Sequence, residues 1–192
     1  MHPRLASRLP GAQTLTIHKL VSPKEHLKSG SVSFVRISHV ENPSFLYVQP
    51  LSTVGENKWI FKELQSELKE VLTEEMWNES KNFKSDFYKI GQLCAYRKKS
   101  DKIFRVVIER ISRKCKRMQI RSVDVGWREL CDQENLLPLP FDPLINRYPL
   151  MMSLRVRLFN LEPPENHKDW PMDCTKELVR IAIRDLCLKI CR

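Results

Sequence analysis

The side chains of this chain that could do chemistry are spaced for holding a charged partner rather than for making or breaking bonds. Its six cysteines, Cys94, Cys115, Cys131, Cys174, Cys187 and Cys191, contain no C-x-x-C pair. Cys187 and Cys191 stand four apart on an expected helix and would put two thiolates on one face, but a structural metal site needs about four donors. Buried free thiols in a reducing compartment are the reading that fits, and no metal or other cofactor is implied. The carboxylates Asp142, Glu162 and Glu165 fall in loops without clustering, and His39 and His167 are isolated. Phosphodiester cleavage needs carboxylates gathered around a metal, with an arginine or a general base beside them, so the chain reads as no enzyme. His39, on a strand among apolar neighbours, reads as a structural histidine, and His167 as a loop residue.

Charge is the stronger signal. Between Arg97 and Arg121 stand eleven lysines and arginines against Asp101 and Glu109, a net +9 out of the chain's +10. Arg97, Lys98, Lys99, Lys102, Arg113, Lys114, Lys116 and Arg117 are the candidates in this stripe for meeting RNA or an acidic partner. Such a stripe attracts phosphate or acidic protein through its field. It would equally serve as a set of solvated strand ends that keep exposed β-edges from pairing. Single-stranded RNA usually needs aromatic rings interleaved with the basic residues, and here only Tyr96 and Phe104 are available.

The elements that must carry these residues follow from periodicity. At 192 residues and 42% hydrophobic content, the chain can bury one core of good size or two small ones. No apolar run is long enough to cross a membrane, and the start "MHPRLASRLPGAQTLTIHKL" lacks the apolar centre of a signal peptide. Arg4, Ser7 and Arg8 without an acid also fit a transit peptide, but a disordered basic lead-in over 1–29 is the reading adopted. A soluble intracellular chain is expected.

"SVSFVRISHVENPSFLYVQ" reads as a hairpin turning at Asn42-Pro43. "KWIFKELQSELKEVLTEEMWNESK" places Phe61, Leu64, Leu68, Val71 and Leu72 at helical spacing, so one long amphipathic helix is expected from Phe61 to about Met76. From Gly91 the period returns to two. "QLCAYRKKSD", "KIFRVVIERI" and "KRMQIRSVDVG" are three short strands, with Phe104, Val106 and Ile108 alternating against Arg105, Val107 and Glu109. Small, strongly bent barrels are built from such units. "LLPLPFDPL" should break regular structure with its three prolines. "YPLMMSLRVRLFNLEPP" supplies another strand, and "DCTKELVRIAIRDLCLKICR" a final helix capped by Asp173 or Thr175, with Leu178, Ile181, Ala182 and Ile190 inward.

Taken in order, the hairpin with Pro43, Phe45, Tyr47 and Gln49, the long helix, and the strands carrying Gly91, Cys94, Asp101, Phe104, Arg105, Asp124 and Gly126 resemble the extended Tudor domain over roughly residues 30–190. The resemblance implies a mainly β, α+β fold, with a Tudor barrel of SH3-like type inserted into a nuclease-like OB-fold lobe and joined to it by the long helix. Residues 30–85 would form the first half of the lobe and the helix, 86–140 the barrel, and 141–192 a second half that looks truncated, either because the chain is a fragment or short isoform or because a partner covers the open edge. It also implies a non-enzymatic protein-binding scaffold in the Piwi-interacting small-RNA pathway of gene silencing. Such domains hold symmetrically dimethylated arginine in Arg-Gly or Arg-Ala tails of Piwi-class Argonaute proteins. The methylated guanidinium stacks between aromatic faces, each contact being worth on the order of 0.5 to 2 kcal/mol.

Carried over by position, the first ring of that cage falls near Lys98, the second on Phe104, the third on Ser122 and the fourth on Val125, while the guanidinium-holding asparagine falls on Trp127. Only Phe104 keeps the pattern. Tyr96 and Trp127 would rebuild half a cage if the loop register differed by a residue or two, and Asp124 before Gly126 fits the tight turn that closes a strand. The expected function is therefore binding of an arginine-containing tail of a Piwi-class Argonaute, or of another germ-granule protein, through a degenerate cage. RNA binding along residues 97–121 is the alternative. No membrane partner is expected, and the location implied is cytoplasmic, in perinuclear germ granules.

Overall fold

A computed structural model describes residues 32–50, 56–83, 87–98, 102–112, 114–115, 117–140, 142–146, 152–158, 160–165, 167–182 and 186–189. The lead-in 1–29 and the residues Lys99, Arg113, Lys116, Ile190 and Cys191 lie outside them. The described residues are mainly β with helices, in two antiparallel sheets. They fall into two compact units, one drawn from 60–124 and 128–146, the other from 32–59, 125–127 and 152–189.

The first unit holds β3 (Leu93–Arg97), β4 (Ile103–Ser112), β5 (Arg117–Ser122), β6 (Arg128–Asp132) and β7 (Leu136–Pro138), ordered β6-β5-β4-β3-β7. The three expected strands are present, but the alternation expected in β4 is not. Ile103 and the run from Arg105 to Ile108 are buried, because β4 is the middle strand and both its faces are covered. A bulge between Ile108 and Arg110 then shifts the register, and exposure begins to alternate. The proline-rich stretch departs from expectation too. Leu136–Pro138 pairs with β3 at the edge of the sheet, where Pro138 ends the strand and forfeits little of the ladder, and Pro143–Asn146 forms a short helix, α3.

The single long helix is in fact two, α1 (Glu56–Val71) and α2 (Glu74–Ser80). Thr73 stands between them in extended backbone, its Oγ1 accepting the Met76 N–H at 3.5 Å, with Glu74 and Glu75 in the first turn beyond it. A capping hydroxyl followed by two acids favours a fresh helix start over continuation. The apolar stripe is core all the same: Leu64, Leu68, Leu72, Met76 and Trp77 are buried. Gln65 donates its side-chain amide to the Ile103 carbonyl, which ties α1 to the start of β4.

The second unit is a sheet ordered β8-β2-β1-β9, made of β1 (Val32–Asn42), β2 (Phe45–Pro50), β8 (Leu154–Val156) and β9 (Leu186–Lys189). The hairpin turn is set by Asn42, whose Oδ1 accepts the Ser44 N–H at 2.9 Å. Val35, Val48 and Leu154 form its core, and α4 (Met172–Ala182) packs on β1. Here the sequence reading needs its largest correction. The last helix ends at Ala182, and Leu186–Lys189 pairs antiparallel with β1, from Val35 opposite Leu186 to Val32 opposite Lys189. An alternating Leu-Cys-Leu-Lys segment beside an unpaired strand edge gains ladder hydrogen bonds there that a helix would not supply. Cys187 is therefore on a strand, Ile181 is exposed, and Asp173 and Thr175 lie in the first turn of α4 rather than at its cap.

Candidate functional site

The β3–β4 hairpin positions the residues expected to read a partner. Tyr96 lies directly opposite Phe104 in the ladder, and Lys98 follows two residues after Tyr96, so all three share one face of the barrel sheet. Ser122, opposite Val106 on β5, belongs to the same face but is fully buried. Phe104 is half-buried, its ring tilted against Phe61 with centroids 6.4 Å apart.

Lys98, where the resemblance would put an aromatic ring, does not point freely to solvent. Its Nζ donates to Glu129 Oε2 at 2.7 Å, and the Tyr96 hydroxyl donates to Glu129 Oε1 at 3.1 Å. Burial first, and then the charge and hydrogen bonding of Glu129, push the Tyr96 phenol well above its ordinary range, so it is a permanent donor. The carboxylate of β6 is thus held at both oxygens, by Tyr96 of β3 and by Lys98 just beyond its end. Sequence reading passed over Glu129 altogether, because in "WREL" the apolar Leu130 points to the opposite face as the inward one, whereas Leu130 is exposed and Glu129 shares its face with the buried Cys131.

Asp124 serves the fold. It accepts from Arg105 Nε at 3.0 Å through Oδ2 and from Arg105 Nη2 through Oδ1, a two-pronged pair with both side chains fully buried. Arg105, one of the eleven cations of the stripe, is no part of any surface. Val125 and Trp127 are half-buried and belong to the second unit, where Ser38 Oγ donates to the Val125 carbonyl at 2.7 Å. Gly126 between them has φ 104°, and a Cβ there would run into the Tyr47 ring, so this position requires glycine twice over. The structure therefore brings together Tyr96, Lys98, Phe104 and Ser122 on one sheet face, and gives Asp124 a different task.

The basic stripe is broken by ion pairing. Arg97 meets Glu74 at 2.8 Å and lies 4.5 Å over the Trp77 ring, and Arg117 meets Asp132 at 3.2 Å. Arg121 and Arg128 both clamp Glu109 at 2.7 Å. Burial opposes charge on Glu109, but the hydrogen bonds from Arg128 and Arg121 outweigh it and hold the carboxyl below its usual range. Lys102, Arg110 and Lys114 remain exposed. Of the thiols, Cys94 and Cys131 are buried, as expected, with Cys131 pushed up to about 12 chiefly by burial, whereas Cys115 is exposed and Cys174 half-buried. Among the described residues, no three His, Cys, Asp or Glu side chains gather as a metal site requires, and no helix is long and apolar enough to cross a membrane.

A concavity of about 630 Å³ in the second unit is lined by Glu41, Phe45, Arg157, Lys168, Asp169 and Trp170, among others. Trp170 Nε1 donates to Ser44 Oγ at 2.7 Å, and Arg155 lies 3.8 Å over the Phe45 ring. Acids and bases balance around it, so charge selects no ligand.

The Tudor domain family model matches residues 27–160, and the chain belongs to the Tudor domain family. Among curated protein sequences, none matches it. Among solved structures, it resembles the extended Tudor domain of human TDRD1 in complex with a symmetrically dimethylated peptide, at TM-score 0.65 and 18% identity, covering 89% of this chain and 76% of that one. The third extended Tudor domain of mouse TDRD1 matches at TM-score 0.70 and 16% identity, covering 90% and 80%. The extended Tudor domain of Drosophila melanogaster Papi, bound to an unmethylated Piwi N-terminal peptide, matches at TM-score 0.66 and 16% identity, covering 80% and 70%. The fold is that of an extended Tudor domain.

Proposed function

We propose that this chain is a non-enzymatic peptide-binding module that takes an arginine-containing tail of a Piwi-class Argonaute, or of another germ-granule protein, with little dependence on arginine methylation. Support for the ligand class comes from the fold and from the peptides carried by similar domains. The extended Tudor domain of human TDRD1 is seen with a symmetrically dimethylated peptide, one of mouse TDRD1 with a MILI peptide containing dimethylarginine, and that of Papi with a Piwi N-terminal peptide. The observation that carries the methylation part is the content of the cage positions: one ring at Phe104, a buried hydroxyl at Ser122 and a cation, Lys98, engaged with Glu129. A closed ring of aromatic faces gains from a methylated head, whereas this arrangement offers one half-buried ring and a carboxylate. Work in the small-RNA pathway, in cytoplasmic perinuclear granules, would follow from such a partner.

The test is a titration of a fluorescent Arg-Gly peptide in unmethylated and symmetrically dimethylated forms. The dimethylated form is expected to bind no more than about tenfold tighter, a gap of about 1.4 kcal/mol. A larger gain from methylation would mean that the reading of a lost cage is wrong.

A further inference from the structure

We infer that Glu129 is the arginine-selecting group of this module, and that Lys98 is a built-in stand-in for the ligand which the incoming arginine displaces. The inference rests on the peptide-module reading above and gives its specificity a residue. Both oxygens of the Glu129 carboxylate are taken, one by the Lys98 ammonium at 2.7 Å and one by the Tyr96 hydroxyl at 3.1 Å. Phe104 stands opposite Tyr96 on the same sheet face. A cation on a carboxylate, beside aromatic side chains, is what an arginine side chain would recreate, and here a lysine of the chain occupies the place.

Lys98 is suited to give way. Its side chain is 42% exposed and that of Glu129 34%, so the pair is partly solvated and its net hold is small. The ammonium is a single point charge on a flexible stem, whereas a guanidinium presents a planar fork that meets both carboxylate oxygens at once. Tyr96 is the fixed part. It is buried, and its hydroxyl keeps Glu129 turned toward β3 whichever cation is bound. The selectivity follows from donor counting. Symmetric dimethylation keeps the charge but removes two of five N–H donors and thickens the head, which weakens a carboxylate fork while it would favour an aromatic cage. The site should therefore prefer unmodified arginine, and acetylation of Lys98 would open it by releasing Glu129.

The experiment uses the full chain with the fluorescent Arg-Gly peptide unmethylated, symmetrically dimethylated, and with lysine replacing arginine. The protein is studied as wild type, Lys98→Gln, Lys98→Met and Glu129→Gln, each checked for a cooperative melt. Wild type is expected to bind the unmethylated form at least about threefold tighter than the dimethylated one. Both Lys98 variants should tighten it by about fivefold, the weight of one half-exposed ion pair. Glu129→Gln should weaken it by about tenfold and erase the preference among the three peptides. Tighter binding of the dimethylated form, or affinities indifferent to positions 98 and 129, would overturn this inference and leave the module standing. If no peptide binds wild type or either Lys98 variant, the module reading falls and this inference with it.

Discussion

At the scale of single residues, the fully buried Arg105–Asp124 pair is a costly feature of the barrel and one sensitive to substitution. Two charges taken out of water are tolerated because the guanidinium meets the carboxylate through two hydrogen bonds, at Oδ2 and Oδ1. Removing one partner leaves the other charged and buried, and such losses cost about 3–5 kcal/mol. Asp124→Ala should accordingly shift the urea midpoint far down or abolish soluble expression, whereas replacing both residues by Arg105→Met with Asp124→Leu should recover most of the loss. Urea titrations of the single and double variants check this. Equal destabilisation in the two would show that the pair is not what holds this end of β5. Glu129, by contrast, is only partly buried, and of its two donors Lys98 is half-exposed while Tyr96 is buried, which suits a group that exchanges one partner and keeps the other.

At the scale of elements, the two helices of the barrel unit turn an amphipathic pattern into core. Leu64 and Leu68 are fully buried, one turn apart on α1, and Leu72, Met76 and Trp77 carry the apolar stripe across the break into α2. Because Thr73 restarts the helix, the stripe is re-aimed there, and no single straight cylinder has to present all five positions. Leu68→Asp places a carboxylate in the middle of this surface, where it has to remain protonated or force the helix off the sheet. Insoluble or molten protein is expected, with near-ultraviolet circular dichroism lost, while Glu63→Gln on the exposed side of the same helix should melt as wild type does. A Leu68→Asp protein with an unchanged cooperative melt would show that α1 contributes little to the barrel core.

At the scale of the whole molecule, the net charge of +10 attracts polyanions, but much of the described part of the basic stripe is neutralised within the barrel unit. Arg97, Lys98, Arg105, Arg117 and Arg121 are each matched to a carboxylate inside the barrel unit. Among the described residues of the stripe, Lys102, Arg110 and Lys114 are further exposed cations. Each phosphate neutralised on a single strand adds about −0.7 to the slope of log affinity against log salt. Replacing these three residues by glutamine should leave that slope unchanged for an arbitrary single-stranded RNA and leave the Arg-Gly peptide affinity untouched. Should the slope flatten by about 2, the stripe would be an RNA contact, and the module would hold a protein and RNA together.

The amino-acid sequence by itself determined the hairpin, the amphipathic helical stretch and the three central strands, and their order, because the propensity of a strand or a helix is written at short range. The β-branched run "KIFRVVIERI", the helical spacing from Phe61 and the Asn-Pro turn each depend on a few adjacent residues. What tertiary structure alone decided are the partners of charges and the fate of ambiguous ends. Glu129 meets Lys98 across 31 residues and Asp124 meets Arg105 across 19, separations at which no local spacing announces a pair. The segment Leu186–Lys189 alternates as well as it coils, and the open edge of β1 made it a strand. The same holds for Leu136–Pro138 beside β3. An apolar pattern states that a residue wants burial, but which carboxylate turns inward, and which cation then neutralises it, depends on strands that meet only when the barrel closes.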